Sequence, residues 1–138
     1  MSDITRFSVS IESELLDLFD RLITSRGYTN RSEAIRDAIR RQLISREWED
    51  GEEVAGVITL LYDHHRPGLS EELTEIQHHA IPSVISTTHI HLDAQNCLEF
   101  IAVRGSGGTI EALADRLKSL RGVKHGELAA TSTGKKII

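Results

Sequence analysis

The sequence predicts an α+β fold in two parts. A strand-helix-helix arm, shared with a second copy of the chain, is followed by a βαββαβ sandwich with its helices on one face. Three observations point there. Residues 4–11 alternate like a half-buried strand but have no second strand nearby to pair with. Two helical patterns then fill most of residues 12–48. After a short charged segment, six further elements follow in the order strand, helix, strand, strand, helix, strand.

The first element, ITRFSVSI, turns Phe7, Val9 and Ile11 one way and Arg6, Ser8 and Ser10 the other. A helix over 12–26 follows, with Leu15, Leu18, Phe19, Leu22 and Ile23 at helical spacing and Gly27 as its C-terminal stop. Asn30 opens a second helix. Asn30 and Glu33 stand three residues apart, the spacing of a capping box with Asn as N-cap. Ala34, Ile35, Ala38, Ile39, Leu43 and Ile44 supply the apolar stripe, and the helix ends near Trp48. Fewer than 50 residues are too few to bury a core alone. Two copies can, if their lone strands pair antiparallel across a two-fold axis and the helices pack around them.

Residues 1–48 therefore form one domain, and the charged, Gly-containing segment 49–53 reads as a linker. The second domain, 54–138, begins with VAGVITLLY, a buried strand over 54–62. A helix over 69–78 turns Leu69, Leu73 and Ile76 inward. Strands over 82–92 and 97–104 flank a turn at 93–96, a helix over 109–120 carries Ile110, Leu113, Ala114 and Leu117, and a last strand covers 123–131. This order is that of a ferredoxin-like sandwich. Residues 132–138 read as a loose tail.

Composition narrows the function classes. No run of about 18 apolar residues occurs, so nothing is expected to span a membrane. The N-terminal stretch lacks the apolar core of a signal peptide, and one cysteine cannot make an internal disulfide, so a reduced, cytoplasmic protein is expected. Only 4% of residues are aromatic, which leaves no platform for stacking single-stranded bases. The net charge of −5 argues against generalised nucleic-acid binding. Residues 1–48, however, hold eight Arg, no Lys and eight acidic residues, so this half is neutral and any DNA contact must come from a local array of Arg.

Such an array is available. In the paired arm the outer strand face shows Arg6, Ser8 and Ser10, doubled by symmetry. A two-stranded ribbon fits the major groove of double-stranded DNA, where Arg reaches guanine edges with two hydrogen bonds and Ser adapts to several bases. The second helix begins Asn30-Arg31-Ser32, whose free backbone N–H groups suit a phosphate and would fix register. An ordinary solvated strand face and an ordinary cap would look alike at each position alone. The run RGYTNRSEAIRDAIR, residues 26–40, closely resembles the helix–turn–helix segment of ribbon-helix-helix repressors.

The second domain holds a candidate metal set. Strand alternation places His89 and His91 on one face. Cys97 shares that face if it pairs opposite His91, which requires the odd-length connection 92–96; a four-residue turn would point it the other way, and the spacing leaves both open. Alternating histidines are common on solvated strands, and a lone Cys is commonly a small buried apolar residue. Together they bring two imidazoles and a thiol within one hairpin. These donors suit zinc, copper and nickel, and a planar four-coordinate site favours Cu(II) or Ni(II). His78 and His79 close the helix 69–78, where the dipole favours them, and in an oligomer one of them can complete a neighbour's set. His64, His65 and His125 read as surface residues.

The order of a ribbon-helix-helix arm, a βαββαβ domain, then Gln77-His78, His89-x-His91 and Cys97-Leu98-Glu99, resembles the NikR family of nickel-responsive transcriptional regulators over roughly 4–131. The resemblance implies an ACT-like second domain that tetramerises and binds nickel, flanked by two ribbon-helix-helix dimers. It implies one square-planar Ni(II) per chain, held by His89, His91 and Cys97 of one chain and His78 of another, with Cys97 on the histidine face. It also implies that the homotetramer, a dimer of dimers, binds double-stranded operator DNA and represses nickel-uptake genes. Glu33 and Asp37 match acidic positions that in the family face the metal domain and can hold a cation; they read equally as a solvated helix face. The histidine run stops at His79, where some relatives carry a longer one, and Pro67 follows Arg66 in a loop where relatives can carry more basic residues. Four protein ligands leave no open metal position, so the chain is not read as an enzyme. The alternatives are a ribbon-helix-helix regulator sensing another metal or a small molecule through the ACT-like domain, and an antitoxin-type repressor, against which the βαββαβ order and the ligand set count.

Overall fold

The computed structural model describes residues 3–138, so Met1 and Ser2 of the expected first domain lie outside the described residues. Contacts divide the chain into two compact units, one ending at Ile39 and the other spanning Arg40–Ile138.

In the first unit, residues 3–12 are exposed and carry no strand, in contrast to the expected strand over 4–11. The reason is physical: a strand is defined by a ladder to a neighbour, and a single chain supplies none here. Phe7 and Val9 are left 72% and 71% exposed. Helix α1, Ser13–Ser25, is amphipathic and ends in a Schellman closure. Gly27 takes φ 82°, Tyr28 N–H bonds the Ile23 carbonyl at 3.0 Å and Gly27 N–H that of Thr24 at 3.1 Å. Helix α2, Arg31–Glu49, starts where the capping spacing indicated: Asn30 Oδ1 accepts the Glu33 N–H at 2.9 Å.

The division between units falls inside α2. The far end of that helix packs within the second unit, where Trp48 is buried in the core and its indole N–H bonds the Thr131 carbonyl at 2.9 Å. The segment expected as a linker, 49–53, is a second Schellman closure. Gly51 takes φ 69°, Glu52 N–H bonds the Glu47 carbonyl at 3.0 Å, and β1 begins at once.

The second unit has the expected order: β1 (Glu53–Asp63), α3 (Leu69–His79), β2 (Val84–His91), β3 (Asn96–Ser106), α4 (Gly107–Lys118) and β4 (Val123–Ser132). The sheet is antiparallel, ordered β2-β3-β1-β4. Strands β1 and β3 alternate strictly, burying Val54, Ile58, Leu60 and Tyr62 from one and Cys97, Glu99, Ile101 and Val103 from the other. Leu69, Leu73 and Ile76 of α3 and Ile110, Leu113 and Leu117 of α4 share this core. Each fully buried Leu or Ile contributes about 1.5–3 kcal/mol before entropy is counted. Helix α4 starts two residues earlier than its periodicity suggests, because Ser106 caps it and Gly107 lets the backbone approach α2. A Cβ at Gly107 would lie 2.7 Å from the Trp48 carbonyl oxygen.

The tail 132–138, expected to be loose, is instead tied down. Ser132 ends β4, Lys135 pairs with Glu53 at 3.3 Å, Lys136 with Glu52 at 2.7 Å, and Arg40 Nε donates to the Ile138 carbonyl at 2.8 Å.

Candidate metal centre

The centre is built on the β2–β3 hairpin. Leu92 N–H bonds the Asn96 carbonyl at 2.9 Å, and the link is organised by Asp93. Its Oδ1 accepts the Gln95 and Asn96 N–H groups at 2.8 and 2.7 Å, and its Oδ2 accepts the Asn96 side-chain amide at 2.8 Å. These donors, the Asn96 amide foremost, hold the Asp93 carboxyl at about 2. The turn sets the register: His91 stands opposite Cys97, Ile90 opposite Leu98 and His89 opposite Glu99. Cys97 therefore shares the face of the two histidines, the odd-length option of the two left open by spacing.

On that face Cys97 is buried, 1% exposed, while both histidines sit exposed on the edge strand. His89 Nδ1 lies 3.8 Å from Cys97 Sγ and 3.1 Å from the Tyr62 hydroxyl, and its Nε2 lies 3.0 Å from Glu99 Oε1. His91 meets His64 edge-to-face, ring centroids 4.8 Å apart, and His64 also lies against His65. His78 is exposed on the last turn of α3, its ring 6.1 Å from that of His79. The single chain thus brings His89 and Cys97 together, puts His91 across from Cys97, and leaves His78 apart. Among the described residues no three His, Cys, Asp or Glu side chains converge to hold a metal. His79 bonds the Glu75 carbonyl through Nδ1 at 2.9 Å, and His65 Nε2 lies 2.8 Å from the Ala94 carbonyl.

Three further residues, Glu99, Gln77 and Tyr62, border the site without a role in the sequence pattern. Glu99 is 1% exposed. Its Oε1 accepts from Gln77 Nε2 at 3.3 Å, and its Oε2 is buried with no hydrogen-bonding partner. Burial pushes its carboxyl up, against the opposing pull of Gln77 and His89. Burial likewise pushes the Tyr62 phenol up, helped by Cys97 and Glu99. The signal was available: Cys97, Glu99, Ile101 and Val103 occupy alternate positions, so the strand pattern itself turns a carboxylate inward.

In the first unit, Arg6, Ser8 and Ser10 lie in the exposed extended segment. Ser32 is exposed on the first turn of α2 beside the Asn30 cap. Arg31 forks onto Asp20, with Nε–Oδ1 at 2.8 Å and Nη2–Oδ2 at 2.7 Å, a pairing that lowers the Asp20 carboxyl. Glu33 pairs with Arg36, and Asp37 accepts the Tyr28 hydroxyl at 2.6 Å.

A ribbon-helix-helix segment joined to an ACT-like α+β domain with a His/Cys hairpin defines a metal-responsive regulator rather than an enzyme. Residues 5–45 match the model of the ribbon-helix-helix proteins of the copG family, and residues 55–131 match that of the NikR C-terminal nickel-binding domain. The chain belongs to the NikR family of nickel-responsive regulators. It is 54% identical over 137 residues to a “Putative nickel-responsive regulator” of Pyrococcus abyssi, covering 99% of each chain. It is 52% identical to the protein of the same description from Syntrophus aciditrophicus, covering 97% of this chain and 98% of that one. Among solved structures, an uncharacterised protein of Thermotoga maritima shares the fold of part of this chain. Its TM-score is 0.53 at 16% identity, over 59% of this chain and all of that one. Among the described residues no helix is long and apolar enough to cross a membrane.

Proposed function

We propose that this protein is a nickel-controlled DNA-binding repressor of nickel-uptake genes, in which one Ni(II) per chain is bound across a subunit interface. The observation that carries the reading is the hairpin: His91 opposite Cys97, with His89 Nδ1 3.8 Å from the same sulfur. Two imidazoles and one thiolate are a donor set that suits nickel, and Cys97, though buried, lies at the lip of an exposed edge strand. His89, His91 and Cys97 would hold the ion, and His78 of another chain would complete the set. When bound, the metal would join two chains that otherwise touch only through protein surface.

Assembly has its own support. The first unit leaves Phe7, Val9, Leu15, Leu18 and Leu22 exposed, an apolar stripe that a second copy would cover as the strands pair. In the second unit the edge strand β2 exposes Ile85 and Ile90, with Ile81 and Leu92 at its ends. A homotetramer, two ribbon dimers joined through the second domains, buries both surfaces. In each ribbon Arg6, Ser8 and Ser10 would face base edges, while Asn30, Arg31 and Ser32 would meet phosphate, with Arg31 leaving or sharing Asp20. Glu33 and Asp37, four residues apart on α2, would take a cation only if their bonds to Arg36 and Tyr28 open. The protein would work in the reducing cytoplasm, where a single thiol stays available as a ligand.

Nickel can raise DNA affinity only by binding the DNA-competent arrangement more tightly than the others; each tenfold gain needs about 1.4 kcal/mol of that difference. Cu(II) binds such donors at least as tightly, so selectivity must come from geometry and availability. The test is duplex DNA binding by the full chain across a nickel, copper, zinc and cobalt series. Activation by nickel well above zinc and cobalt supports the reading. Equal binding with every metal and with none removes it.

A further inference from the structure

The segment after β4 reads Thr133-Gly134-Lys135-Lys136-Ile137-Ile138. Gly134 takes φ 81°, and its N–H donates to the Ser132 hydroxyl at 3.1 Å, a turn that redirects the chain. The residues that follow meet the α2–β1 turn. Lys135 Nζ reaches Glu53 Oε2 at 3.3 Å, Lys136 Nζ reaches Glu52 Oε2 at 2.7 Å, and Arg40 Nε of α2 donates to the Ile138 carbonyl at 2.8 Å. A single exposed pair adds little by itself. Three attachments on one short segment act together, because each raises the local concentration of the next.

Under this segment lies a cleft of about 400 Å³, lined by Glu47, Glu52, Glu53, Thr133, Lys135 and Lys136. Glu47 is 8% exposed, and its Oε2 is buried with no hydrogen-bonding partner among the described residues. A buried acceptor of this kind calls for a donor. Lys136 lines the same cleft, and Glu52 foremost, then Glu47 and Asp50, push the pKa of its ammonium up. An ammonium carries three donors, of which the bond to Glu52 uses one.

We propose that residues 133–138 are an ionic strap over the end of α2, closed when the Lys136 ammonium bridges Glu52 and the buried Glu47. Helix α2 has residues in both compact units, and the strap grips it from Arg40, where the second unit begins, to the turn that follows Glu49. Closed, the strap holds this half of the helix to the second unit. Its bearing on nickel and DNA rests on the function proposed above; the strap itself is a property of the metal-free chain.

The test is amide hydrogen exchange of the full-length, metal-free protein. It is read at Gly51 and Glu52, whose N–H groups bond the Trp48 and Glu47 carbonyls. Lys136→Met keeps the aliphatic stem and removes the charge. It should quicken exchange there about tenfold, while Lys136→Arg stays near the wild type. Salt at about 1 M should quicken the wild type and leave Lys136→Met unchanged. In a Glu47→Gln background, Lys136→Met should have a smaller effect. Fluorescence of Trp48, the only tryptophan, should be the same throughout, since the core is intact. Lys136→Met should bind nickel as the wild type does and lose about threefold or more of the nickel-dependent gain in DNA affinity. Wild-type exchange that ignores salt, or exchange unchanged in Lys136→Met, overturns the strap. An effect of Lys136→Met undiminished by Glu47→Gln overturns the seat at Glu47. An unchanged gain in DNA affinity overturns the bearing on coupling. A wild type whose DNA affinity ignores nickel refutes the function proposed above and leaves the strap standing.

Discussion

His91 stands directly across the β2–β3 ladder from Cys97. That pairing places a thiol of β3 and an imidazole of the edge strand β2 on one face of the sheet. Replacing the sulfur while keeping the shape tests it. Cys97→Ser should fold as the wild type does and bind nickel about 100-fold more weakly or worse, since loss of a ligand should exceed the effect of its outer partners. The sulfur-to-nickel absorption of the loaded protein should disappear. Equal affinity and an unchanged spectrum would sink the site.

His78, exposed at the end of α3 and apart from the hairpin, bears on assembly. His78→Ala and Cys97→Ala chains should each fail to hold nickel tightly when alone. Mixed after dissociation, they should recover part of the sites, because a mixed interface contains one intact set and one doubly broken set. Mixing verified by mass, with no nickel recovered, would argue that the ligands lie within one chain.

Asp93 makes hairpin stability depend on acid. Its carboxyl sits at about 2 in the fold against an ordinary 3.8, so the turn favours the ionised form. A depressed value gives stability that is complete above the unfolded pKa and is lost as pH falls through the folded one. Between about pH 4 and 2 the melting temperature of the metal-free wild type should drop. Asp93→Asn should melt lower at neutral pH, show a shallower drop, and converge with the wild type near pH 2. Parallel curves across that window would contradict the role given to Asp93.

Arg6 and Arg31 should differ in what they do on DNA. If Arg6 reads base edges as proposed, Arg6→Ala should cost about 1–3 kcal/mol on a preferred sequence and little on random DNA. Arg31→Ala removes the Asp20 pair and, if Arg31 meets phosphate as proposed, should weaken every sequence alike with a shallower salt dependence. Binding to preferred and random duplexes at several salt concentrations separates them. Full discrimination retained in Arg6→Ala would mean that the strand is not the reading head.

The elements were legible because each is a local pattern. Alternation along β1 and β3 and the stripes of α3 and α4 are visible in adjacent residues, and the Asn30 cap is set by residues three apart. What escaped depends on partners far along the chain or outside it. The strand over 4–11 needs a second chain to exist at all. The face of Cys97 depends on whether the link from β2 has an odd or even count, which Asp93 decides through bonds to Gln95 and Asn96. The tail is fixed by ion pairs such as Lys135 with Glu53, 82 residues apart, and no window of sequence shows them. The inward turn of Glu99 is itself a local pattern, since it alternates with Cys97 and Ile101.

The central claim is that nickel binding and DNA binding are coupled. It is tested most directly by one comparison: duplex affinity with one equivalent of Ni(II) per chain, and after removal of metal by a chelator, on a sequence enriched from a random pool by the loaded protein. The expected result is an affinity at least about tenfold higher with nickel, a coupling of about 1.4 kcal/mol or more, abolished in Cys97→Ser. The same affinity in both states, with nickel shown to be bound, would contradict the account.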